Sequence, residues 1–135
     1  MLRKLNYDLI ALKTNSMDKN KPYNLEERTF RFAIEVRAFL QKIKSNDLNR
    51  DDFRQVIRSS GSIGANYIEA NAGMSKKDLL YRLRICRKEA KETNYWLRII
   101  LDSLKGENKR KIQPLITESF ELLKIFSSII EKVKN

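Results

Sequence analysis

The sequence predicts an all-α fold, an antiparallel up-and-down four-helix bundle. Three observations predict it. Four separate stretches repeat apolar residues in alternating steps of three and four, the spacing of one helix face. Only four Gly and two Pro punctuate 135 residues, so long helices meet few breakers. No stretch alternates polar and apolar residues between turn signals, and no strand pattern competes.

Composition gives one domain with a real core, since 41% of residues are apolar and 33% charged. Residues 1–23 read as an N-terminal arm and residues 24–135 as the bundle domain. Leu2, Leu5, Leu9 and Leu12 share helical spacing, but Thr14 to Tyr23 is mostly polar and contains Pro22. Such a segment is expected to be loose or to dock on a neighbour. Asn6, Asp8 and Lys13 interrupt the first thirteen residues and no small-residue cleavage pattern follows, which argues against a signal peptide. No apolar run is long enough to span a bilayer. A cytoplasmic prokaryotic protein without a membrane partner is the expectation.

The first bundle helix is expected to begin near Asn24, which caps it with Glu27 three residues on. Leu25, Thr29, Phe32, Val36, Phe39 and Ile43 mark its inward seam, and Ser45 to Asn49 its exit. A second helix starts near Arg50 or Asp51, where Asp51 and Asp52 complement the helix dipole. Its seam is Phe53, Val56, Ser60, Ile63, Tyr67, Ala70 and Met74. Within it, Ser59 to Ala65 carries Gly61 and Gly64, each costing about 1 kcal/mol in a helix interior. The seam register nevertheless continues through the segment. A continuous helix is therefore expected, its small residues admitting a neighbouring backbone. A phosphate-cradling loop is disfavoured, because no Gly-Lys-Ser/Thr follows and no strand precedes.

Gly73 suits the end of the second helix, and Ser75 with Asp78 caps the third. The third helix runs to about Leu104, roughly 45 Å, and Gly106 ends it. The fourth begins between Asn108 and Ile112, with Pro114 tolerated in its first turn. Its seam is Ile112, Ile116, Ser119, Leu123, Phe126, Ile130 and Val133. A second line, Leu115, Leu122 and Ile129, flanks that seam, with Phe120 and Ile125 beside it. This face is wider than one bundle seam needs.

The third helix carries two opposed stripes. Leu79, Leu83, Cys86, Ala90, Thr93, Leu97, Ile100 and Leu104 form an apolar and small-residue line. Lys77, Tyr81, Arg84, Lys88, Lys91, Tyr95 and Arg98 form a basic, aromatic-studded line offset by roughly 200°. The net charge is +11 and the pI about 9.9, a balance that favours polyanions. In a nucleic-acid interface the five cations of the stripe contact phosphates and the two tyrosines stack on exposed bases. The plainer reading is a solvated helix face, although the stripe contains no acidic residue. Arg54 and Arg58, a turn apart on the second helix, are candidates to extend the patch.

Catalytic and metal sites are not expected. The chain has no histidine, which removes the usual base for a nucleophilic triad and the Glu-x-x-His pairs of di-iron bundles. A compact bundle offers no cleft for a paired-carboxylate glycosidase. Cys86, the only cysteine, sits on the apolar stripe and reads as a small core residue. Glu69, Glu89 and Glu92 are expected off the buried seams, in ion pairs with Arg58, Arg82 or Lys88. Asn66 and Glu69, a turn apart, read with Glu92 as structural polar residues that bridge or fix helix register. No cofactor is expected.

The segment Arg58 to Ala70, and its continuation from Lys76 to Leu79 and Ile85 to Leu97, resembles the 23S rRNA intervening-sequence proteins, a family also called four-helix bundle proteins. Asn24 to Leu40 resembles the family's first helix, and the likeness extends over roughly residues 24–133. Ser62, Ile63, Asn66 and Glu69 supply its Ser-Ile-x-x-Asn-x-x-Glu core, while Ala70 stands where many members have Gly. The resemblance implies a ring-like homopentamer, for which the broad apolar face of the fourth helix offers a use. Its founding members are encoded within insertions in 23S rRNA genes. A related member, the accessory variability protein of diversity-generating retroelements, is a basic pentamer that works with a reverse transcriptase and nucleic acid. The implied partners are thus RNA or DNA and a reverse transcriptase or other protein. The expected function is that of a non-catalytic, homo-oligomeric, RNA- or nucleic-acid-binding accessory factor. The alternative is a protein-interaction scaffold whose positive charge serves solubility or an acidic partner.

Overall fold

The computed structural model describes residues 24–73 and 75–135, and the expected N-terminal arm and Met74 lie outside the described residues. The described residues form four long helices and one short one, with no strand: α1 (Leu25–Gln41), α2 (Arg50–Ala70), α3 (Lys76–Ser103), α4 (Glu107–Lys111) and α5 (Gln113–Lys134). None is long and apolar enough to cross a membrane.

The local signals act as the sequence suggests. The Asn24 side chain accepts from the Glu27 amide at 2.8 Å. Ser75 Oγ accepts from the Asp78 amide at 3.2 Å, so both helix starts are capped. Gly73 sits beyond the end of α2 at φ +82°, and Gly106 reverses the chain after α3 at φ +63°, a region that favours glycine. The last helix differs from expectation by a break. Pro114 has no N–H to offer the Arg110 carbonyl, so α4 stops at Lys111 and α5 starts at Gln113.

α3 is the central element and packs along both α2 and α5, while α1 packs mainly on α2. Cross-helix contacts fix the register. Thr93 meets Ser59 (2.8 Å), the Cys86 thiol meets the Ile63 carbonyl (3.4 Å) and Arg82 meets Asn66 (3.0 Å), so residue numbers fall on α3 as they rise on α2. Asn94 on α3 donates to Ser119 Oγ on α5 at 3.0 Å. The entire apolar stripe of α3, Leu79 through Leu104, is buried. Burial pushes the Cys86 thiol far above its ordinary range, leaving it a protonated core group.

Ser59 to Ala65 continues α2 without a break. Ser60 and Ser62 return their hydroxyls to the Ile57 and Arg58 carbonyls of their own helix. Gly64 lies against α1. A Cβ there would come within 2.8 Å of Thr29 Oγ1, so its missing side chain lets the two helices meet.

Two expectations need correction. Leu115, Leu122, Ile125 and Ile129 are buried within this chain, so the broad apolar face of the last helix is used inside the bundle; Phe120 alone of that group remains exposed. Glu89 is buried, not surface-lying, and accepts from Arg58 Nη1 at 2.9 Å. Its register explains this, because Glu89 stands three residues after Cys86 and four before Thr93 on the same inward face.

A second buried charge joins α1 to α5. Arg28 Nε and Nη2 donate to Glu118 Oε2 and Oε1 at 2.7 and 2.9 Å, a bidentate pair hidden from solvent. Glu118 occupies a regular place in the line Leu115, Glu118, Leu122, Ile125, Ile129. A carboxylate inside an apolar line predicts a buried partner, and that partner is Arg28.

Candidate nucleic-acid interface

All seven residues of the basic stripe are exposed along α3: Lys77, Tyr81, Arg84, Lys88, Lys91, Tyr95 and Arg98. Helix periodicity alone aligns them, and burial of the opposite stripe turns them outward. Among the described residues none of the five cations forms an ion pair with a carboxylate. The nearest acidic residues on the α2 side, Glu89 and Glu92, are held by Arg58 at 2.9 and 3.2 Å. Arg58 is thereby spent as a neutralising partner, and Arg54 faces Asp51 at 3.7 Å, so neither adds free charge to the stripe.

The middle of the stripe, Arg84, Lys88 and Lys91, borders an open groove of about 670 Å³ between α3 and α5. Arg84, Arg87, Lys88 and Lys91 line it from α3, and Lys124 with Leu123 and Ser127 from α5. Arg87 and Lys124 were not among the expected residues. Arg87 had a visible signal, since Arg84, Arg87 and Lys91 keep the three-four step. Lys124 had none, because its place depends on how α5 packs on α3. Its ammonium lies 3.0 Å from Glu121 and 5.1 Å above the Phe120 ring, which braces the far wall.

Tyr81 and Tyr95 stand at either end of the groove's α3 wall, with 62% and 56% of their surfaces exposed. Tyr95 is steadied by an edge contact with Trp96 at 5.2 Å. The polar residues Asn66 and Glu92 both bridge α2 to α3. Asn66 accepts from Arg82 while donating to the Ser62 carbonyl at 2.8 Å, and Glu92 pairs with Arg58. Glu69 is exposed and bonds to no side chain among the described residues.

A second open groove, about 620 Å³, lies between α1 and α2. Phe30, Ala33, Gly61, Gly64, Ala65 and Ile68 give it an apolar lining, with Glu26 and Glu27 at its edge. Phe30, Ile34 and Ile68 expose half or more of their surface along these two helices.

Comparison with known proteins agrees with this architecture. A family model described as 23S rRNA-intervening sequence protein matches residues 21–128. The 1.70 Å crystal structure of a protein of unknown function from the S23 ribosomal protein family of Bacteroides thetaiotaomicron VPI-5482 superposes with a TM-score of 0.67. It is 30% identical, over 78% of this chain and 97% of that one. No curated protein matches the sequence.

Proposed function

Since the chain belongs to the 23S rRNA-intervening sequence protein family, we propose that it is a non-catalytic, cytoplasmic accessory factor that binds RNA through the α3/α5 groove. The observation that carries this reading is the uncompensated charge of that groove. Four cations of α3 converge there with Lys124 of α5, and the four pair with no described carboxylate. A solvated helix face ordinarily mixes signs; this one faces a second helix and keeps a single sign. A polyanion recovers counterion entropy at such a surface, so binding weakens steeply with salt.

The bundle is read as antiparallel and up-and-down, supported by residue numbers that fall on α3 as they rise on α2. It is also read as homo-oligomeric, a pentamer on the family resemblance. The apolar α1/α2 groove supports self-association, because Phe30 and Ile68 line it together while half or more exposed, with exposed Ile34 one turn after Phe30 on α1. The broad face of the last helix no longer supports it. A reverse transcriptase or other protein is the partner class that the resemblance adds, and no cofactor is assigned.

Two measurements test the proposal. Fluorescence anisotropy with labelled RNA is expected to give an affinity that falls at least tenfold between 50 and 200 mM salt, a drop on the order of several phosphate contacts. Absence of binding at low salt sinks the nucleic-acid reading. It favours the scaffold alternative if a single acidic protein then co-purifies independently of nuclease treatment. Sedimentation giving only a 15.9 kDa species removes the oligomer.

A further inference from the structure

We propose that the α3/α5 groove takes single-stranded nucleic acid, holding phosphates on its cations and unpaired bases against Tyr81 and Tyr95. This inference rests on the nucleic-acid reading above and narrows it to a ligand class.

Axial order is the first argument. Arg84, Arg87, Lys88 and Lys91 all fall between the two tyrosines along α3, so the charged part of the groove is flanked by a ring at each end. Fourteen residues separate the rings, about 21 Å at the helical rise. A strand whose backbone follows the cations therefore passes one aromatic platform on entering and another on leaving.

The nature of the rings is the second argument. Both tyrosines expose more than half their surface, on a face that otherwise carries cations. A phenol ring in that position offers a π-face, and a base offers one only when it is unstacked. In a duplex the base faces are covered by their neighbours, so these rings would meet sugar and phosphate edges alone. The edge contact of Tyr95 with Trp96 fixes the ring's orientation and reduces the entropy lost when a base stacks on it.

The groove itself is the third argument. Arg84, Arg87, Lys88 and Lys91 line the open groove from α3 and Lys124 lines it from α5, so it carries cationic donors on both walls. A flexible single strand can lie within such a groove. A stiff duplex keeps its bases paired and stacked, so it can offer these cations its phosphates but the two rings no free base. The sugar is not read by any of these groups, so RNA and DNA single strands share the chemistry.

The test uses the full chain and four labelled 20-mers in anisotropy titrations: an unstructured RNA strand, its DNA equivalent, and duplexes of each. The single strands are expected to bind at least tenfold more tightly than the duplexes. Replacing both rings, Tyr81→Ala with Tyr95→Ala, is expected to weaken single-strand binding at least tenfold and leave duplex binding unchanged, whereas Tyr81→Phe with Tyr95→Phe retains affinity. The rings are exposed, and circular dichroism with thermal melting checks that the fold survives. Preference for the RNA strand assigns RNA as the source; equal affinity assigns single strands of either sugar. Duplex binding as tight as single-strand binding, or indifference to ring removal, overturns the inference while nucleic-acid binding stands. No binding of any of the four probes removes both.

Discussion

The α1/α2 groove and the α3/α5 groove differ little in size, about 620 and 670 Å³, and almost entirely in chemistry. Small side chains make the first. Gly61, Gly64 and Ala65 bring α2 close to α1, and Phe30 and Ile68 stand up around the dip. Long side chains make the second. Arg84, Arg87, Lys88, Lys91 and Lys124 line it around Leu123 and Ser127. The contrast teaches how one bundle can offer two independent surfaces. An apolar groove rewards shape and tolerates salt, whereas a cationic groove rewards charge and loses affinity as salt rises. Self-association and nucleic-acid binding, each at its own groove, should therefore separate on a salt titration.

Breaking the basic side gives the largest expected effect. Reversing Arg84, Lys88 and Lys91 to Glu replaces three positive charges with three negative ones in a single groove. RNA affinity is expected to fall on the order of 10⁴-fold at low salt, to below detection. Because all three side chains are exposed, thermal stability and sedimentation should stay those of the parent. Loss of folding together with binding would mean that the charges hold the bundle, and the contrast between the grooves would collapse.

How much of this was legible depends on whether one helix or two decide a residue's place. The α3 stripes lie on one helix, and a three-four count was enough to separate Cys86 and Ala90 inside from Lys88 and Lys91 outside. The continuity of α2 through Gly61 and Gly64 was legible for the same reason: its seam register never slipped. Lys124 was not legible, because α5 must be docked on α3 before it enters the groove. The last helix misled in a different way. Its apolar excess was visible, but whether that excess meets α1 and α3 or another copy is a packing question, and the chain buries it internally. Glu89 and Glu118 show a rule that sequence reading passed over. A charge in phase with an apolar line is a sign of an opposite charge reaching it from a neighbouring helix, here the exposed Arg58 for Glu89 and the buried Arg28 for Glu118.

The Arg28–Glu118 pair offers a way to break the apolar side without touching either groove's lining. It ties α1, one wall of the apolar groove, directly to α5. Removing one partner takes from the other buried charge its bidentate counter-ion, so Arg28→Ala or Glu118→Ala is expected to cost several kcal/mol, about 3–5, in urea unfolding. Arg28→Met combined with Glu118→Leu should cost less than either single change, since it removes both buried charges together. If the single changes cost no more than an exposed pair, about 1 kcal/mol or less, then α1 is not anchored this way. RNA binding should persist in the folded fraction of either variant, which keeps the two surfaces distinct.

The finest comparison lies within the apolar groove, between its two glycines. Both sit in the interior of α2, where Ala is favoured over Gly by up to about 1 kcal/mol. Their surroundings differ. At Gly61 a new Cβ meets Arg37 Nη2 at 3.1 Å, the far end of a long side chain that donates to the Ile57 and Ala33 carbonyls and need shift only a few tenths of an ångström, with no backbone in the way. Gly61→Ala is therefore expected to be neutral or stabilising by up to about 1 kcal/mol. At Gly64 the new Cβ meets Thr29 Oγ1 at 2.8 Å and Thr29 Cβ at 3.2 Å. Thr29 is buried and its hydroxyl is committed to the Glu26 carbonyl at 3.0 Å, so α1 itself must move. Overpacking of that kind costs about 1–3 kcal/mol, and after the propensity gain Gly64→Ala should remain destabilising by about 1–2 kcal/mol. Adding Thr29→Ala removes the obstructing hydroxyl and should return part of the loss, a coupling that a double-mutant cycle in urea reads directly. Opposite signs at positions three residues apart would tie the small-residue stretch of α2 to close approach of α1. Equal signs would mean that α1 rests on α2 loosely enough to adjust, and that the groove owes its shape to Phe30 and Ile68 rather than to the glycines.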